Sequence, residues 1–138
     1  MHGASKIILI DPDDKYLVIY RADHPTLGND ADLPGGTVEK GESHKDAAVR
    51  EVFEETGLKI SDPTEIYSGT EYSRFGILRS LYLKRLNERP EINLSWEHSH
   101  YEWVSRDEFI KECKYAKDRY MHMVYDLLAN DSSLDKNI

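Results

Sequence analysis

The sequence has little of what secreted and membrane proteins depend on. Cys113 is the single cysteine in 138 residues, which excludes an internal disulfide and favours a reducing compartment. No apolar run approaches the roughly 20 residues that span a bilayer. The first residues also lack the charged and then apolar segments of a signal peptide. These absences predict a cytoplasmic protein that does not enter a membrane.

Positive charge is also scarce, because 18 Lys and Arg stand against 26 Asp and Glu, a formal net charge of −8. Such a surface repels nucleic acids and anionic membranes, so neither is an expected partner. A small anionic substrate remains compatible with it if a cation bridges the two. The length is typical of one domain, and no repeat, low-complexity tract or linker divides the chain. We therefore expect a single domain over residues 1–138.

The order of apolar runs and turn residues predicts a mixed α/β domain. Two β-rich runs, 6–11 and 16–20, are joined by a Pro/Asp cluster and predict a hairpin, which a polar loop over 22–32 and a tight turn over 33–36 follow. The same signals predict three further strands and three helices. The predicted ranges are 65–73, 77–86 and 101–104 for strands, and 43–56, a segment from about 106, and 115–129 for helices, with a frayed polar tail over 130–138.

The helix predicted at 43–56 carries clear end signals and a dense acidic patch. Ser43 suits the N-cap, where its side chain can accept from a free backbone N–H. Gly57 suits the left-handed position just past the last turn. At 100° per residue, Glu51, Glu54 and Glu55 fall within an arc of about 100° on one helix face. The helix therefore presents three carboxylates side by side.

Carboxylates packed near a helix C-terminus repel each other and oppose the helix dipole. Clustered hard oxygen ligands suit Mg²⁺ or Mn²⁺, which also bind substrate phosphates. A divalent ion would cancel the repulsion, which is the physical argument for a metal site. The alternative for this patch alone is a solvated acidic face, which is what most glutamate runs are.

A longer sequence pattern contains these glutamates and favours the metal site over the solvated acidic face. Gly36 is followed after five residues by Glu42, and after seven more by Arg-Glu-Val-Phe-Glu-Glu-Thr-Gly-Leu at 50–58. Every specified position of the Nudix box is met, and a chance match would occur at roughly 10⁻⁸ per starting position. Through this box and the Leu-Pro-Gly-Gly lead-in at 33–36, the chain resembles the Nudix hydrolases, the MutT-like pyrophosphohydrolases.

The resemblance implies an α/β (α+β) fold, in which a mixed β-sheet lies between helices as an α/β/α sandwich. It also implies an enzyme that uses Mg²⁺, with Mn²⁺ as a substitute. The implied metal ligands are the three glutamates of the helix and the Gly35 carbonyl. Arg50 would orient the carboxylates through charge-assisted hydrogen bonds, and Glu42 would support the loop or bind metal through water. Family members are often homodimers, so a homodimer remains open.

Residues outside the box are assigned by loop position, charge and ring chemistry. Glu97 is the candidate for a further metal ligand or the general base, with Glu102 as its weaker rival. His98 and His100 lack the spacing of a zinc site, so we expect them to be solvated or hydrogen-bonded. The residues expected to hold substrate are Arg21, Gly36, Lys40, Arg74 and Arg79. The aromatic residues that could stack on a base are Tyr67, Tyr72, Tyr82 and Trp96.

Three functions follow from these residues. The first is hydrolysis of a phosphoanhydride in a nucleoside diphosphate linked to another moiety: a nucleoside triphosphate, an oxidised nucleotide, a nucleotide sugar or a dinucleoside polyphosphate. The second is a nucleotide-binding regulatory module without turnover, against which the intact glutamates argue. The third is an isomerase of isoprenoid diphosphates, which needs a cysteine in the active cleft. Cys113 falls in a predicted helix instead and is expected to be inert packing.

Overall fold

The computed structural model describes residues 3–130. Its strands are β1 (Ala4–Ile10), β2 (Tyr16–Arg21), β3 (Ala31–Asp32), β4 (Gly35–Thr37), β5 (Thr64–Gly69), β6 (Arg79–Arg85) and β7 (His98–Val104). Its helices are α1 (His44–Thr56), α2 (Arg106–Tyr115) and α3 (Arg119–Asn130). The strands form one mixed sheet in the order β3-β2-β1-β6-β5, with β4 also paired to β1 and β7 to β2.

The central strand β1 is apolar on both faces because both faces of the sheet are covered by helices. Ile8 and Ile10 belong to the core that contains residues of α2 and α3. Ile7 and Leu9 belong to the second core, which contains residues of α1. Successive side chains of a strand point to opposite faces, so an uninterrupted apolar run suits a strand between two helical layers. The expected α/β/α sandwich with a mixed sheet is confirmed.

The predicted hairpin of β1 and β2 is present, and the two strands meet antiparallel at Ile10 and Tyr16. At its other end β1 pairs with the glycine strand β4, whereas β2 pairs with β3. Along its whole length β1 also runs parallel to β6. The segment 31–37, predicted as loop and turn, therefore contributes two short strands between the separated ends of β1 and β2.

Several predicted boundaries are wrong, and the contacts at each observed end give the reason. Strand β5 ends at Gly69, because Ser73 turns back and donates from its N–H to the Thr70 carbonyl at 3.1 Å. Strand β7 begins at His98 rather than 101, since β2 pairs with it as far as Arg21. Helix α3 begins at Arg119 rather than 115, because Tyr115 ends α2. The Asp118 side chain accepts from the Tyr120 N–H at 2.9 Å and caps the new helix.

The predicted helix caps are confirmed. In α1 the Ser43 side chain accepts from the Asp46 N–H, and Gly57 adopts the left-handed conformation at φ 78°. In α2 the Ser105 side chain accepts from the Glu108 N–H. Across residues 3–130, every helix falls short of the length and apolar character needed to cross a bilayer. The predicted tail over 130–138 lies outside the described residues, except for the last residue of α3.

Candidate active site

The last turn of α1 presents the three box glutamates to one cavity of about 670 Å³. They differ in solvent contact: the side chains of Glu54 and Glu51 are 54% and 17% exposed, and that of Glu55 is 5% exposed. The left-handed Gly57 ends the helix directly after them. The helical spacing thus produces a row of acids that runs from solvent to the cavity floor.

The strand β4 forms the wall beside this row because two of its three residues, Gly35 and Gly36, have no side chains. A Cβ at Gly36 would lie 2.9 Å from the Glu51 carboxyl carbon, and one at Gly35 would lie 2.3 Å from the Ser5 carbonyl oxygen. Gly35 also has φ 139°, a conformation that other residues rarely adopt. Its N–H donates to Glu55 Oε1 at 3.3 Å. Both glycines therefore allow the backbone to approach the carboxylates closely.

Arg50 connects the glutamates behind the cavity. Its Nε donates to Glu42 at 2.8 Å, and its Nη1 donates to Glu51 at 3.0 Å and to Glu54 at 3.2 Å. Its Nη2 donates to Glu42 and to the Thr37 carbonyl, both at 3.1 Å. The hydrogen bond from Arg50 lowers the pKa of Glu42. One guanidinium thus holds the loop before α1 and two of the helix acids in a fixed arrangement.

A buried ionic network lies under the acids and joins four strands. Asp32 of β3 accepts from Lys6 of β1 at 2.5 Å and contacts Arg21 of β2 at 3.2 Å. Its other oxygen lies 3.0 Å from His98 Nε2 of β7. Arg21 also donates to Asp118 at 2.8 Å. Burial opposes ionisation of Asp32, but Lys6, the hydrogen bond with His98, and Arg21 together hold the pKa of that carboxyl well below its usual value.

Glu55 and His98 meet at the edge of this network. Glu55 Oε2 lies 3.7 Å from His98 Nδ1, and both atoms are buried without a hydrogen-bond partner among the described residues. Burial, with Glu51 and Asp32 nearby, raises the pKa of the Glu55 carboxyl to about 9. A buried carboxylate atom without a partner is costly. This donor set therefore fits a cation at the cavity floor.

The open side of the cavity is formed by loop residues. Trp96 and Glu97 come from the segment before β7, and His24 and Pro25 come from the loop after β2. The Ala22 N–H donates to the Glu97 carbonyl at 2.9 Å and joins the two loops. The Trp96 side chain is 87% exposed although it lines the cavity. A large exposed ring beside a polar cavity offers a surface for a planar group.

The structure brings together most of the predicted site residues. The predicted residues that line the cavity are Arg21, Gly35, Gly36, Glu51, Glu54, Glu55 and Glu97. Three predicted substrate residues do not line it. Lys40 is exposed in the turn before α1, Arg74 is exposed between β5 and β6, and Arg79 donates to the Tyr72 carbonyl at 3.2 Å.

Three residues of the cavity were missed as site residues. Lys6 precedes the apolar run of β1, and Asp32 precedes the Leu-Pro-Gly-Gly lead-in. A charged residue directly beside a buried segment was the signal that could have identified both as site residues. His98 was expected to be solvated or hydrogen-bonded; it is buried and hydrogen-bonded to Asp32. Cys113 is fully buried between α2 and the core and does not line the cavity, and burial raises the pKa of its thiol.

Comparison with known proteins identifies the family. The family model described as NUDIX domain matches residues 1–125. An ADP-ribose pyrophosphatase of Methanocaldococcus jannaschii is 45% identical over 65 residues, which are 46% of this chain and 38% of that protein. An asymmetrical bis(5'-nucleosyl)-tetraphosphatase of Caenorhabditis elegans is 30% identical over 89 residues, covering 61% of this chain and 64% of that protein. The chain thus matches well under half of the first relative and somewhat under two thirds of the second.

The fold is shared with solved structures at lower identity. The crystal structure of a C. elegans Ap4A hydrolase binary complex superposes with a TM-score of 0.75 at 21% identity, covering 99% of this chain and 100% of that one. The MutT protein of Methanosarcina mazei Go1 gives a TM-score of 0.66 at 22% identity, covering 94% and 95%. At such identities the likeness shows the fold. With the family model matched over residues 1–125, the chain belongs to the Nudix hydrolase family.

Proposed function

We propose that the protein hydrolyses a phosphoanhydride bond in a nucleoside diphosphate linked to another moiety, with Mg²⁺ held by Glu51, Glu54 and Glu55. The observation that carries this proposal is the cavity that these three glutamates share with the buried Lys6 and the half-buried Arg21. Acidic groups suit the metal, and cationic groups suit the phosphates that the metal bridges. Mn²⁺ is expected to substitute.

The donor set supports a divalent cation. The three glutamates offer hard oxygen ligands on one helix face, and Glu55 Oε2 is buried without a hydrogen-bond partner within residues 3–130. The Gly35 carbonyl is a further proposed ligand, at the strand that contacts the glutamates. When bound, the ion supplies charge neutralisation and Lewis-acid polarisation at the diphosphate. Arg50 keeps Glu51 and Glu54 in position because its guanidinium donates to both.

The protein's own residues perform the remaining steps. Arg21 lines the cavity, and we assign its guanidinium to a substrate phosphate. The backbone of Gly36 allows the substrate to approach beside Glu51. A water molecule attacks one phosphorus in line, gives its proton to a carboxylate, and the P–O bond to the other phosphate breaks. We assign that proton to Glu97, whose carboxylate is exposed at the cavity.

The names of the relatives support the substrate class. ADP-ribose and bis(5'-nucleosyl)-tetraphosphate, which appear in two of those names, both contain a nucleoside diphosphate linked to another group. The proposed class for this chain is that shared part. We assign recognition of the second group to the loops around Trp96. The exposed Trp96 ring can stack on a base or another planar group.

The test is release of phosphate, pyrophosphate or nucleotide from a panel of nucleoside triphosphates, dinucleoside polyphosphates and nucleotide sugars. Each substrate is assayed with Mg²⁺, Mn²⁺ and EDTA. We expect metal-dependent turnover dominated by one substrate and lost in Glu54→Gln. Glu108→Gln, an exposed helix glutamate outside the cavity, is the matched control and should keep full activity. Metal-independent turnover, or full activity in Glu54→Gln, would overturn the proposal.

The second candidate is a nucleotide-binding module without turnover. It would be favoured if the folded protein binds a nucleotide but hydrolyses none of the panel. Three further expectations accompany the proposal: one domain over residues 1–138, a cytoplasmic location, and an open choice between monomer and homodimer. The first is supported by the single sheet that the described strands form. Size-exclusion chromatography with light scattering would decide the third.

A further inference from the structure

Two buried acceptor atoms face each other on the cavity floor. His98 Nδ1 and Glu55 Oε2 lie 3.7 Å apart, and neither has a hydrogen-bond partner among the described residues. Their side chains are only 4% and 5% exposed. Hydrogen bonds between nitrogen and oxygen are usually 2.7–3.2 Å long, so this pair does not share a proton directly. The arrangement leaves two ligand atoms aimed at one small space.

The contacts of Asp32 determine which nitrogen of His98 carries the proton. Asp32 accepts from Lys6 at 2.5 Å and contacts Arg21 at 3.2 Å, so it is ionised and acts only as an acceptor. His98 Nε2, 3.0 Å from the other Asp32 oxygen, must therefore donate to it. In the neutral imidazole this leaves a lone pair on Nδ1. That lone pair faces the Glu55 carboxyl group at 3.7 Å.

We propose that His98 Nδ1 and Glu55 Oε2 both bind the divalent cation, so that the site has a mixed nitrogen and oxygen donor set. Ligand distances of about 2.0–2.2 Å on each side are compatible with a separation of 3.7 Å. Asp32 is then a positioning residue that fixes the ring and its tautomer, as carboxylates commonly do for metal-binding histidines. This inference rests on the proposed metal site at the three glutamates.

The nitrogen donor changes which ion the site prefers. Imidazole suits Zn²⁺, Fe²⁺ and related transition-metal ions, whereas Mg²⁺ takes mainly oxygen ligands. We therefore assign the site a preference for a transition-metal ion over Mg²⁺. The competing arrangement is an imidazolium ion pair, in which both His98 nitrogens carry protons and Glu55 is its partner.

The test is pulsed electron paramagnetic resonance of Mn²⁺ bound to the protein. Protein with ordinary histidine should show a ¹⁴N modulation that ¹⁵N-labelled histidine replaces by a ¹⁵N modulation. His98→Gln should remove the nitrogen modulation. It should also weaken Mn²⁺ binding about tenfold or more and Mg²⁺ binding less. His100→Gln is the matched control, because His100 lies two residues along the same strand but is exposed and stacked on Tyr20. This control should keep the modulation.

The outcomes separate this inference from the proposed function. Mn²⁺ binding without a histidine modulation would overturn the nitrogen ligand and leave the glutamate site standing. Failure of Mn²⁺ and Mg²⁺ to bind at all would overturn both. The labelled wild-type protein needs no substitution, so the result does not depend on whether His98→Gln folds. Loss of the modulation in His100→Gln would move the ligand to that residue and refute the assignment.

Discussion

Glu55 makes the stability of the metal-free protein depend on pH. Burial raises its pKa to about 9 in the folded protein, against a reference value of 4.5. Between these two values the folded state holds a proton that the unfolded state has released. The free energy of unfolding therefore falls as the pH rises from 4.5 to about 9. Below pH 4.5 the carboxyl group is protonated in both states, and this loss of stability is absent.

The slope of the free energy of unfolding against pH has an upper limit that can be calculated. One proton gives about 1.4 kcal/mol per pH unit, so the change between pH 6 and pH 8 is about 2–3 kcal/mol. Glu55→Gln removes this dependence, because an amide carries no charge at either pH. Its oxygen can still accept from the Gly35 N–H, as the carboxylate does at 3.3 Å. We therefore expect the variant to be more stable than the wild type already at pH 6, and the difference to grow by about 2–3 kcal/mol at pH 8.

The assay is urea unfolding of wild type and Glu55→Gln in EDTA at pH 6, 7 and 8. The quantity of interest is the difference between the two free energies of unfolding, which should grow with pH. Glu108→Gln, an exposed glutamate of α2, is the control and should follow the wild type. Saturating Mn²⁺ should then stabilise the wild type more than Glu55→Gln, because the ion binds the carboxylate. A difference that stays constant from pH 6 to pH 8 would refute the reasoning.

Three further substitutions probe other parts of the site. Arg50→Lys keeps a charge but loses the forked contacts to Glu42 and Glu51. We expect the free energy of unfolding to fall by about 1–2 kcal/mol and kcat/KM to fall about 10–100-fold. Wild-type kinetics would contradict this. Trp96→Ala removes an exposed ring at the cavity and should raise KM about tenfold, as loss of base stacking does, with kcat unchanged; an unchanged KM in steady-state assays would remove Trp96 from the binding surface. Glu97→Gln should lower kcat about 100-fold or more as the general base without changing Mn²⁺ affinity; a lost affinity in the metal titration would make it a ligand instead.

The acidic helix could be predicted from the sequence because its determinants are local. Ser43 and Gly57 set the ends of α1 through contacts within a few residues. Helical periodicity alone places Glu51, Glu54 and Glu55 on one face. The glycine turn before the helix is likewise read from neighbouring residues. A continuous segment from Gly36 to Leu58 therefore carried the family, the fold class and the three glutamates expected to bind metal.

The cavity floor could not be predicted because its residues come from separate strands. Lys6, Asp32 and His98 lie far apart in the sequence and meet through the pairings of β1, β2, β3 and β7. Sequence spacing gives no signal for such a meeting, since strand order depends on contacts across the whole chain. No role for Asp32 followed from the sequence, and His98 was expected to be solvated or hydrogen-bonded.

The substrate-facing charges show the same division between local and long-range information. Arg21, Lys40, Arg74 and Arg79 were equivalent candidates by residue type, yet of these four only Arg21 lines the cavity. A residue's chemistry is a property of its side chain, and the sequence states it directly. Its direction depends on the strand or turn that carries it and on what packs beneath. The sequence by itself determined which chemistry was available; the tertiary structure decided which of those groups share one space.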